Sequence, residues 1–134
     1  MPPCESRLRA AGLRPTRQRL GLARLLLDGP HRHLTAEELF AEATEAGVRL
    51  SQATVYNTLN QFVAAGLIRE VLAEPGRAYF DTDCSPHHHF FHVEDGRLED
   101  VPAGYVTVAD LPPAPSGTRI ARVDVVIRVE PTCD

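Results

Sequence analysis

A chain of 134 residues has room for one ordinary domain or two very small ones. Its apolar fraction of 43% is typical of a globular protein, and no segment approaches the roughly 18 consecutive apolar residues of a membrane span. The first residues also lack the apolar core of a signal peptide. We therefore expect a cytoplasmic protein with no membrane partner.

The three cysteines, Cys4, Cys84 and Cys133, are odd in number and far apart in the chain. This spacing does not suit a disulfide framework, and no Cys-x-x-Cys pair is present to hold a structural zinc ion. We expect three reduced thiols and no zinc site built on cysteine.

Positive charge is concentrated at one end of a chain whose net charge is −4. All 14 basic residues are arginines, and residues 1–24 contain six of them against a single glutamate. A basic segment on an acidic protein suits contact with nucleic-acid phosphates, because only the contacting face must be positive. A solvated helix face is the alternative for the same residues.

Three helices are predicted in the first half of the chain. The first covers residues 16–27, where leucines recur at helical spacing, and ends at Asp28-Gly29-Pro30. Thr35 and Glu38 form a capping box for a second helix that ends near Gly47. Ser51 caps a third helix that ends at Gly66. The inward face of this third helix consists of Val55, Leu59, Phe62 and Val63.

Two apolar runs follow, at residues 67–72 and 78–82, on either side of Glu74-Pro75-Gly76-Arg77. Their β-branched and aromatic content predicts a hairpin around a turn. Three helices followed by a hairpin is the order of a winged helix, in which the third helix enters the DNA major groove. We assign residues 1–83 to a winged helix-turn-helix DNA-binding domain.

The remaining residues, 84–134, are predicted to form a second, small α/β domain. Residues 90–93 and 97–101 flank an Asp-Gly turn, residues 102–117 are a proline-rich irregular crossover, and residues 119–130 alternate apolar and charged side chains as a strand does. Three strands in so short a segment cannot bury a core alone. We therefore expect an α+β chain whose second domain forms a homodimer.

The exposed face of the third helix carries amides, hydroxyls and an aromatic ring, which suit base edges and thymine methyl groups. Arg14 precedes Pro15, which favours an extended backbone able to reach into a narrow A·T-rich minor groove. Arg17 and Arg19 follow as phosphate contacts, and a salt bridge or free solvation is the alternative for each arginine. The predicted contacts to double-stranded DNA are Arg14, Arg17, Arg19, Ser51, Gln52, Thr54, Tyr56 and Asn57.

The run His87-His88-His89 is the densest chemical signal in the chain. On an extended backbone alternate side chains share a face, so His87 and His89 can bind one ion while His88 points away. Imidazoles with carboxylates suit Fe(II), Mn(II) or Zn(II). A site with ligands from both halves of the chain would couple its occupancy to the angle between them. The candidate metal ligands are His33, Asp81, His87, His89 and Asp100.

The histidine tract is compatible with several other roles. A run of three can be a solvated loop, and paired imidazoles beside Phe90 and Phe91 could ligate haem through His87, His88 or His89. A small metalloenzyme is a further hypothesis, as is a metal or haem buffer that never contacts DNA. The enzyme hypothesis lacks an evident general base or substrate cleft. The hypothesis of a metal or haem buffer gives the arginine-rich segment no role. We therefore expect a regulator and not an enzyme.

Four segments resemble the ferric uptake regulator superfamily in sequence and in order: residues 12–19, 33–39, 53–59 and the His87-x-His89 cluster. The sequence His87-His88-His89-Phe90-Phe91, the proline-rich crossover and residues 120–128 are similar to the iron response regulator branch of alpha-proteobacteria. The resemblance implies a homodimer on an A·T-rich operator, with Tyr56 in base contact and the regulatory metal on the five ligands named above. In that branch the regulator acts mainly when iron is scarce, responds to haem and represses haem-synthesis and iron-using genes.

Three departures from the family pattern refine what the resemblance implies. His92 and Asp95 stand where many relatives carry the Cys-x-x-Cys pair of a structural zinc site, so no such zinc is expected. Val123 replaces the histidine of an additional metal site, and Cys4 is not followed by the proline of a haem regulatory motif.

The expectation is an iron-responsive regulator of iron-homeostasis and haem-synthesis genes, controlled by Fe(II), Mn(II) or haem, with Zn(II) binding in vitro. A peroxide- or manganese-responsive repressor of the same superfamily is the alternative.

Overall fold

The computed structural model describes residues 3–133 as an α+β chain with two compact units, the first ending at Cys84 and the second beginning at Ser85. The helices, all in the first unit, are α1 (Cys4–Ala10), α2 (Arg17–Leu27), α3 (Ala36–Glu45) and α4 (Gln52–Ala64). The strands of the first unit are β1 (His33–Leu34), β2 (Arg69–Glu74) and β3 (Arg77–Asp81). The strands of the second unit are β4 (His89–His92), β5 (Arg97–Asp100) and β6 (Val126–Val129). Residues 85–133 contain no helix, so the prediction of a small α/β domain is wrong for this unit, whose regular structure is strand alone.

Side-chain caps define where the three predicted helices begin. Thr16 Oγ1 accepts a hydrogen bond from the Arg19 backbone N–H at 3.2 Å, and Ser51 Oγ accepts one from the Thr54 N–H at 3.1 Å. Thr35 and Glu38 form the reciprocal capping box at the start of α3. Each cap satisfies backbone donors that have no partner within the first helical turn. The predicted starts of α2, α3 and α4 are confirmed.

Removal of the capping box should destabilise the first unit. We expect Thr35→Ala to lower the free energy of unfolding by about 1 kcal/mol, because the Glu38 N–H loses its acceptor and the Glu38 carboxylate loses the Thr35 hydroxyl. Urea unfolding followed by circular dichroism measures this change. Thr44→Ala is the control, since Thr44 lies at an exposed position inside α3 and alanine is the better helix former there. Equal stability of the two variants would contradict the assigned cap.

Helix α1 was not among the predicted elements. It is seven residues long, begins without a side-chain cap, and buries only Cys4 and Leu8. Two apolar residues four positions apart are too few to show a helical period among arginines. The helix is held by tertiary packing, because Cys4 and Leu8 belong to the core of the first unit.

The partner of Cys4 leads to a prediction about thiol reactivity. Cys4 Sγ donates to Asp28 Oδ1 at 3.4 Å, and burial together with this hydrogen bond raises the pKa of the Cys4 thiol above its ordinary value. None of the three cysteines forms a disulfide within residues 3–133, and Cys84 and Cys133 are exposed. Because the thiolate is the reactive form, we expect iodoacetamide at pH 8 to modify Cys4 several-fold more slowly than the other two. Peptide mass spectrometry over time measures the three modification rates. In urea, where the protein is unfolded, the rates should become equal. Equal rates in the folded protein would contradict the buried placement of Cys4.

The core of the first unit draws apolar side chains from all four helices and from the hairpin. Its fully buried members include Leu8, Leu22, Leu26, Leu39, Val55, Leu59, Phe62, Ile68 and Phe80. Helix α4 contributes Val55, Leu59 and Phe62 as predicted, so its opposite face points to solvent. Gly66, with a φ of 79°, takes the left-handed conformation that ends this helix.

The sheet of the first unit has the order β1-β3-β2, and both pairs are antiparallel. Strands β2 and β3 form the predicted hairpin, which turns at Pro75 and Gly76. Strand β1 was not predicted, because two residues before a capping box carry no periodic pattern. Its pairing with β3 places His33 directly opposite Asp81.

The sheet of the second unit has the order β5-β4-β6. Strands β4 and β5 form the predicted antiparallel hairpin, whereas β6 pairs parallel to β4. The strand predicted over residues 119–130 is too long, since only Val126–Val129 is strand. Its ladder follows the four residues of β4, from His89 opposite Val126 to His92 opposite Val129. Alternation shows which residues suit a strand, but the length of the neighbouring strand sets how many of them pair.

No helix within residues 3–133 is both long enough and apolar enough to cross a bilayer.

Candidate functional site

In the first unit, His33 and Asp81 face each other across two strands of the sheet. His33 Nε2 lies 3.3 Å from Asp81 Oδ2. The other carboxylate oxygen, Oδ1, accepts a hydrogen bond from the Asp83 backbone N–H at 2.9 Å. The Asp81 side chain is 1% exposed and that of His33 is 19% exposed. One carboxylate oxygen is thus anchored and the other is presented beside an imidazole nitrogen, a donor pair that suits a divalent metal ion.

Asp81 has a second cross-strand neighbour, Arg69, that sequence reasoning missed. Arg69 lies opposite Asp81 in β2 and is only 5% exposed. Opposite residues of an antiparallel pair share a face of the sheet, so His33, Asp81 and Arg69 form one row across three strands. A permanent positive charge therefore stands next to the candidate ligand carboxylate. The available signal was an arginine inside the largely apolar run 67–72, since arginine is seldom buried without a partner.

In the second unit, His87, His89 and Asp100 come together. Strand pairing places His89 opposite Asp100. His87 Nε2 lies 3.3 Å and His89 Nε2 lies 3.5 Å from the same oxygen, Asp100 Oδ1. The two imidazole rings are 4.6 Å apart between centroids. His89 is buried, whereas half of the Asp100 side chain is exposed, so this group of donors lies at the edge of the sheet with one side open to solvent.

The hydrogen bond of His87 to the backbone indicates which of its ring nitrogens can bind a metal. His87 Nδ1 lies 2.6 Å from the Ser85 carbonyl oxygen. A carbonyl can only accept, so Nδ1 carries the proton and the lone pair of the neutral ring lies on Nε2. This lone pair faces the Asp100 carboxylate, and two acceptors at that distance require a proton or a cation between them. An imidazole anchored through its other nitrogen is typical of metal-ligating histidines.

His88 has a different role. The Val125 backbone N–H donates to His88 Nδ1 at 3.1 Å, which ties the start of β4 to the segment before β6. With Nδ1 accepting, a neutral His88 ring carries its proton on Nε2, and neither nitrogen offers a free lone pair. His88 therefore supports the start of β4, the strand that carries His89.

His92 and Asp95 occupy the positions of the Cys-x-x-Cys pair and make structural contacts of their own. His92 Nε2 donates to Glu99 Oε1 at 3.0 Å, and this hydrogen bond, reinforced by Arg97, holds the pKa of Glu99 below its ordinary value. Asp95 Oδ1 accepts from the Arg97 backbone N–H at 3.0 Å and shapes the turn of the hairpin. That the chain holds no structural zinc remains a prediction.

The exposed face of α4 is the second candidate site. Gln52, Tyr56 and Asn57 are exposed, while Thr54 is half-buried. The Tyr56 ring is 45% exposed and packs edge-on against Phe80 of β3, with ring centroids 6.4 Å apart. Ser51 and Thr54 bind each other through their hydroxyls at 2.9 Å. The helix thus presents a supported aromatic ring and two amides within its first two turns, groups that match base edges.

The three predicted arginine contacts differ in their surroundings. Arg14 and Arg17 are exposed. Arg19 is half-buried, and its guanidinium donates to Gln61 Oε1 at 3.2 Å and to the Arg14 carbonyl oxygen at 3.0 Å. Arg19 therefore fastens the segment that carries Arg14 to helix α4. Such a tie keeps Arg14 in a constant position relative to the exposed face of that helix.

The comparisons with known proteins agree on one family. The family model described as the ferric uptake regulator family matches residues 10–110. The ferric uptake regulation protein of Pseudomonas aeruginosa is 38% identical over 94 residues, which is 69% of this chain and 70% of that protein. The ferric uptake regulation protein of Pseudomonas putida is 40% identical over a segment of the same length, again 69% of this chain and 70% of that protein.

The solved structure of the Pseudomonas aeruginosa ferric uptake regulator with manganese superposes with a TM-score of 0.71 and 27% identity, covering 95% of this chain and 96% of that one. The family model matches most of the chain, and the two relatives are 38% and 40% identical to it. The chain therefore belongs to the ferric uptake regulator family, whose members are DNA-binding, metal-responsive transcription regulators.

Proposed function

We propose that this protein is an iron-responsive regulator of iron-homeostasis and haem-synthesis genes that binds A/T-rich operator DNA as a homodimer. One observation carries the proposal. This member of the family has both an exposed polar face on α4 and two groups of imidazole and carboxylate donors. The first suits reading of DNA and the second suits a divalent metal. Regulation requires that the two be coupled.

The proposed regulatory ligand set is His33, Asp81, His87, His89 and Asp100. The first unit offers two of these donors and the second offers three, so neither alone provides the six oxygen and nitrogen ligands common for Mn(II) and Fe(II). Only five residues separate Asp81 from His87, which keeps the two groups close along the chain. We infer that one ion, when bound, takes ligands from both groups. Iron or manganese fits this donor set, and Zn(II) should bind in vitro.

Shared ligands provide the coupling between signal and DNA binding. A metal that draws on both units would favour one arrangement of the units over others, because binding free energy is gained only in that arrangement. In a dimer this sets the separation of the two α4 helices, and operator half-sites lie at fixed spacing along DNA. Occupancy of the site would therefore change operator affinity without any change in the residues that touch the bases.

Dimerisation is proposed through the second unit, which is the part of the chain that needs a partner. Its segments outside the strands leave several large apolar side chains in solvent: Val93, Tyr105, Val108, Leu111 and Ile120. Three four-residue strands give little core of their own. A second copy of the same surface would cover these side chains by two-fold symmetry. Light scattering should give twice the 14.7 kDa mass of one chain.

Haem is the second candidate signal, because the iron response branch that the sequence resembles is haem-responsive. Its candidate ligands overlap with those of the metal at His87 and His89, and His88 is already engaged with Val125. Haem and Mn(II) should therefore compete for the same side chains. A Soret shift on haem titration that is diminished by prior Mn(II) loading would support a shared site.

Selection of bound duplexes from a random-sequence pool, followed by binding measurements, tests the proposed function. We expect an A/T-rich sequence with two-fold symmetry, and an operator affinity that changes by roughly 5- to 150-fold between chelated and Mn(II)- or Fe(II)-loaded protein. No enrichment of any sequence would contradict a DNA-binding regulator and leave the metalloenzyme hypothesis. An affinity that is unaffected by metals and by haem would contradict the regulatory site. Loss of binding by the Fe(II) protein in peroxide would favour the peroxide-responsive alternative.

A further inference from the structure

A second basic surface of the first unit shares no lining residue with the α4 face formed by Gln52, Tyr56 and Asn57. It is an open groove of about 710 Å³ between helix α2 and the loop that precedes α4. Three arginines line it together with small and apolar residues, and no acidic side chain among the described residues does so. These lining residues include Arg17, Leu20, Gly21, Arg24, Val48 and Arg49.

The shape of the groove depends on Gly21. Arg17 and Arg24 are seven residues apart on α2, which is two helical turns, so they lie on the same face about 10 Å apart along the axis. Gly21 lies between them, and a Cβ atom built there would stand 3.1 Å from Val48 Cγ1. A glycine inside a helix costs stability, roughly 1 kcal/mol relative to alanine. Here it lets the Val48 loop approach α2 closely and keeps the space between the two arginines open.

The charge of the groove is available to a ligand. Arg17, Arg24 and Arg49 are exposed, and within residues 3–133 none of them forms an ion pair. Arg49 lies two residues before Ser51, the N-cap of α4. The groove therefore borders the start of the helix that carries Tyr56 and Asn57. A polyanion that crosses the α4 surface would meet these arginines next.

We propose that Arg24 and Arg49, together with Arg17, bind the phosphate backbone of the operator beside the bases that α4 reads. This inference rests on the proposed function, and it adds Arg24 and Arg49 to the interface. Three guanidinium groups in a groove with no carboxylate among its described lining residues complement the regular negative charge of DNA. Contacts of this kind position the protein but carry no sequence information.

The salt dependence of DNA binding tests the proposal. For the wild type, Arg24→Ala, Arg49→Ala and the double variant, fluorescence anisotropy would give the affinity for the selected operator and for a scrambled duplex across a series of salt concentrations. Each substitution should reduce the slope of log affinity against log salt by about 0.9, and the double variant by about twice that, because each lost phosphate contact releases one counterion fewer. Both duplexes should be affected alike. Lysine at both positions should retain most of the slope, since the charge is kept.

Arg97→Ala is the matched control, because Arg97 is an exposed arginine of the second unit. It should leave the slope unchanged. An unchanged slope in the folded double variant, with wild-type affinity for both duplexes, would overturn the phosphate-groove proposal while leaving the proposed function intact. Failure of the selection to enrich any sequence would overturn the proposed function instead, and the salt slope on scrambled DNA would still decide whether the groove binds phosphates.

Discussion

Tyr56→Ala is expected to weaken operator binding by roughly 5- to 150-fold, which corresponds to the 1–3 kcal/mol that the loss of recognition at one base pair typically costs. Tyr56 is the large apolar side chain of α4 that remains 45% exposed although its ring packs against Phe80. The Phe80 contact holds the ring in one orientation, so contact with a thymine methyl group costs little side-chain entropy. Fluorescence anisotropy with the selected operator and a scrambled duplex measures the loss, which should be large only for the operator.

Two variants on the same helix serve as controls for Tyr56. Tyr56→Phe keeps the ring and its packing, so it should retain most of the affinity if the ring face makes the contact. Asn60→Ala changes an exposed side chain one turn further from the helix start and should have little effect. An equal loss on operator and scrambled DNA would contradict a base contact and indicate a contribution to general DNA binding or to folding.

His89→Ala is expected to reduce the affinity for Mn(II) by more than about 100-fold, which exceeds the 10- to 100-fold typical of groups that only support a ligand. His89 is 1% exposed, and its Nε2 shares Asp100 Oδ1 with His87, so its removal takes away one of three donors in the second unit. Isothermal titration calorimetry in the absence of oxygen measures the affinity, and circular dichroism checks that the variant is folded.

The equivalent change in the first unit decides whether the ion is shared. If one metal draws ligands from both groups, His33→Ala should lower the Mn(II) affinity by a similar factor. His31→Ala is its control, because His31 is an exposed neighbour whose ring contacts Thr82 and not Asp81. Normal Mn(II) binding by His33→Ala, alongside loss of binding by His89→Ala, would show that the second unit holds the ion alone.

Much of the first unit follows from short segments of sequence. The caps at Thr35 and Ser51 and the stop at Gly66 each act over three or four residues, and the structure has helices where these signals predict them. Helix α1 was missed because it has no such local signal. Its seven residues gain their stability from burial of Cys4 and Leu8 against other parts of the chain. Propensity and periodicity do not report such packing.

The candidate metal ligands could be identified from the sequence as residue types, but the sequence did not reveal their neighbours. A two-residue spacing on an extended backbone relates His87 to His89, although β4 itself begins at His89. Arg69 could not be related to Asp81 in the same way, because cross-strand partners are set by the register of β2 and β3. The hydrogen bonds that separate the role of His88 from that of His87 also come from distant backbone groups or from loop geometry.

The amino-acid sequence by itself determined the helix starts, the two hairpins, the polar face of α4 and the membership of a family, because these depend on neighbouring residues or on motif order. Only the tertiary structure decided that β6 is four residues long, that β1 brings His33 beside Asp81, and that Gly21 opens a groove between three arginines. The physical reason is that strand pairing and close packing join residues far apart in the chain, and their free energy is gained only when the whole unit folds.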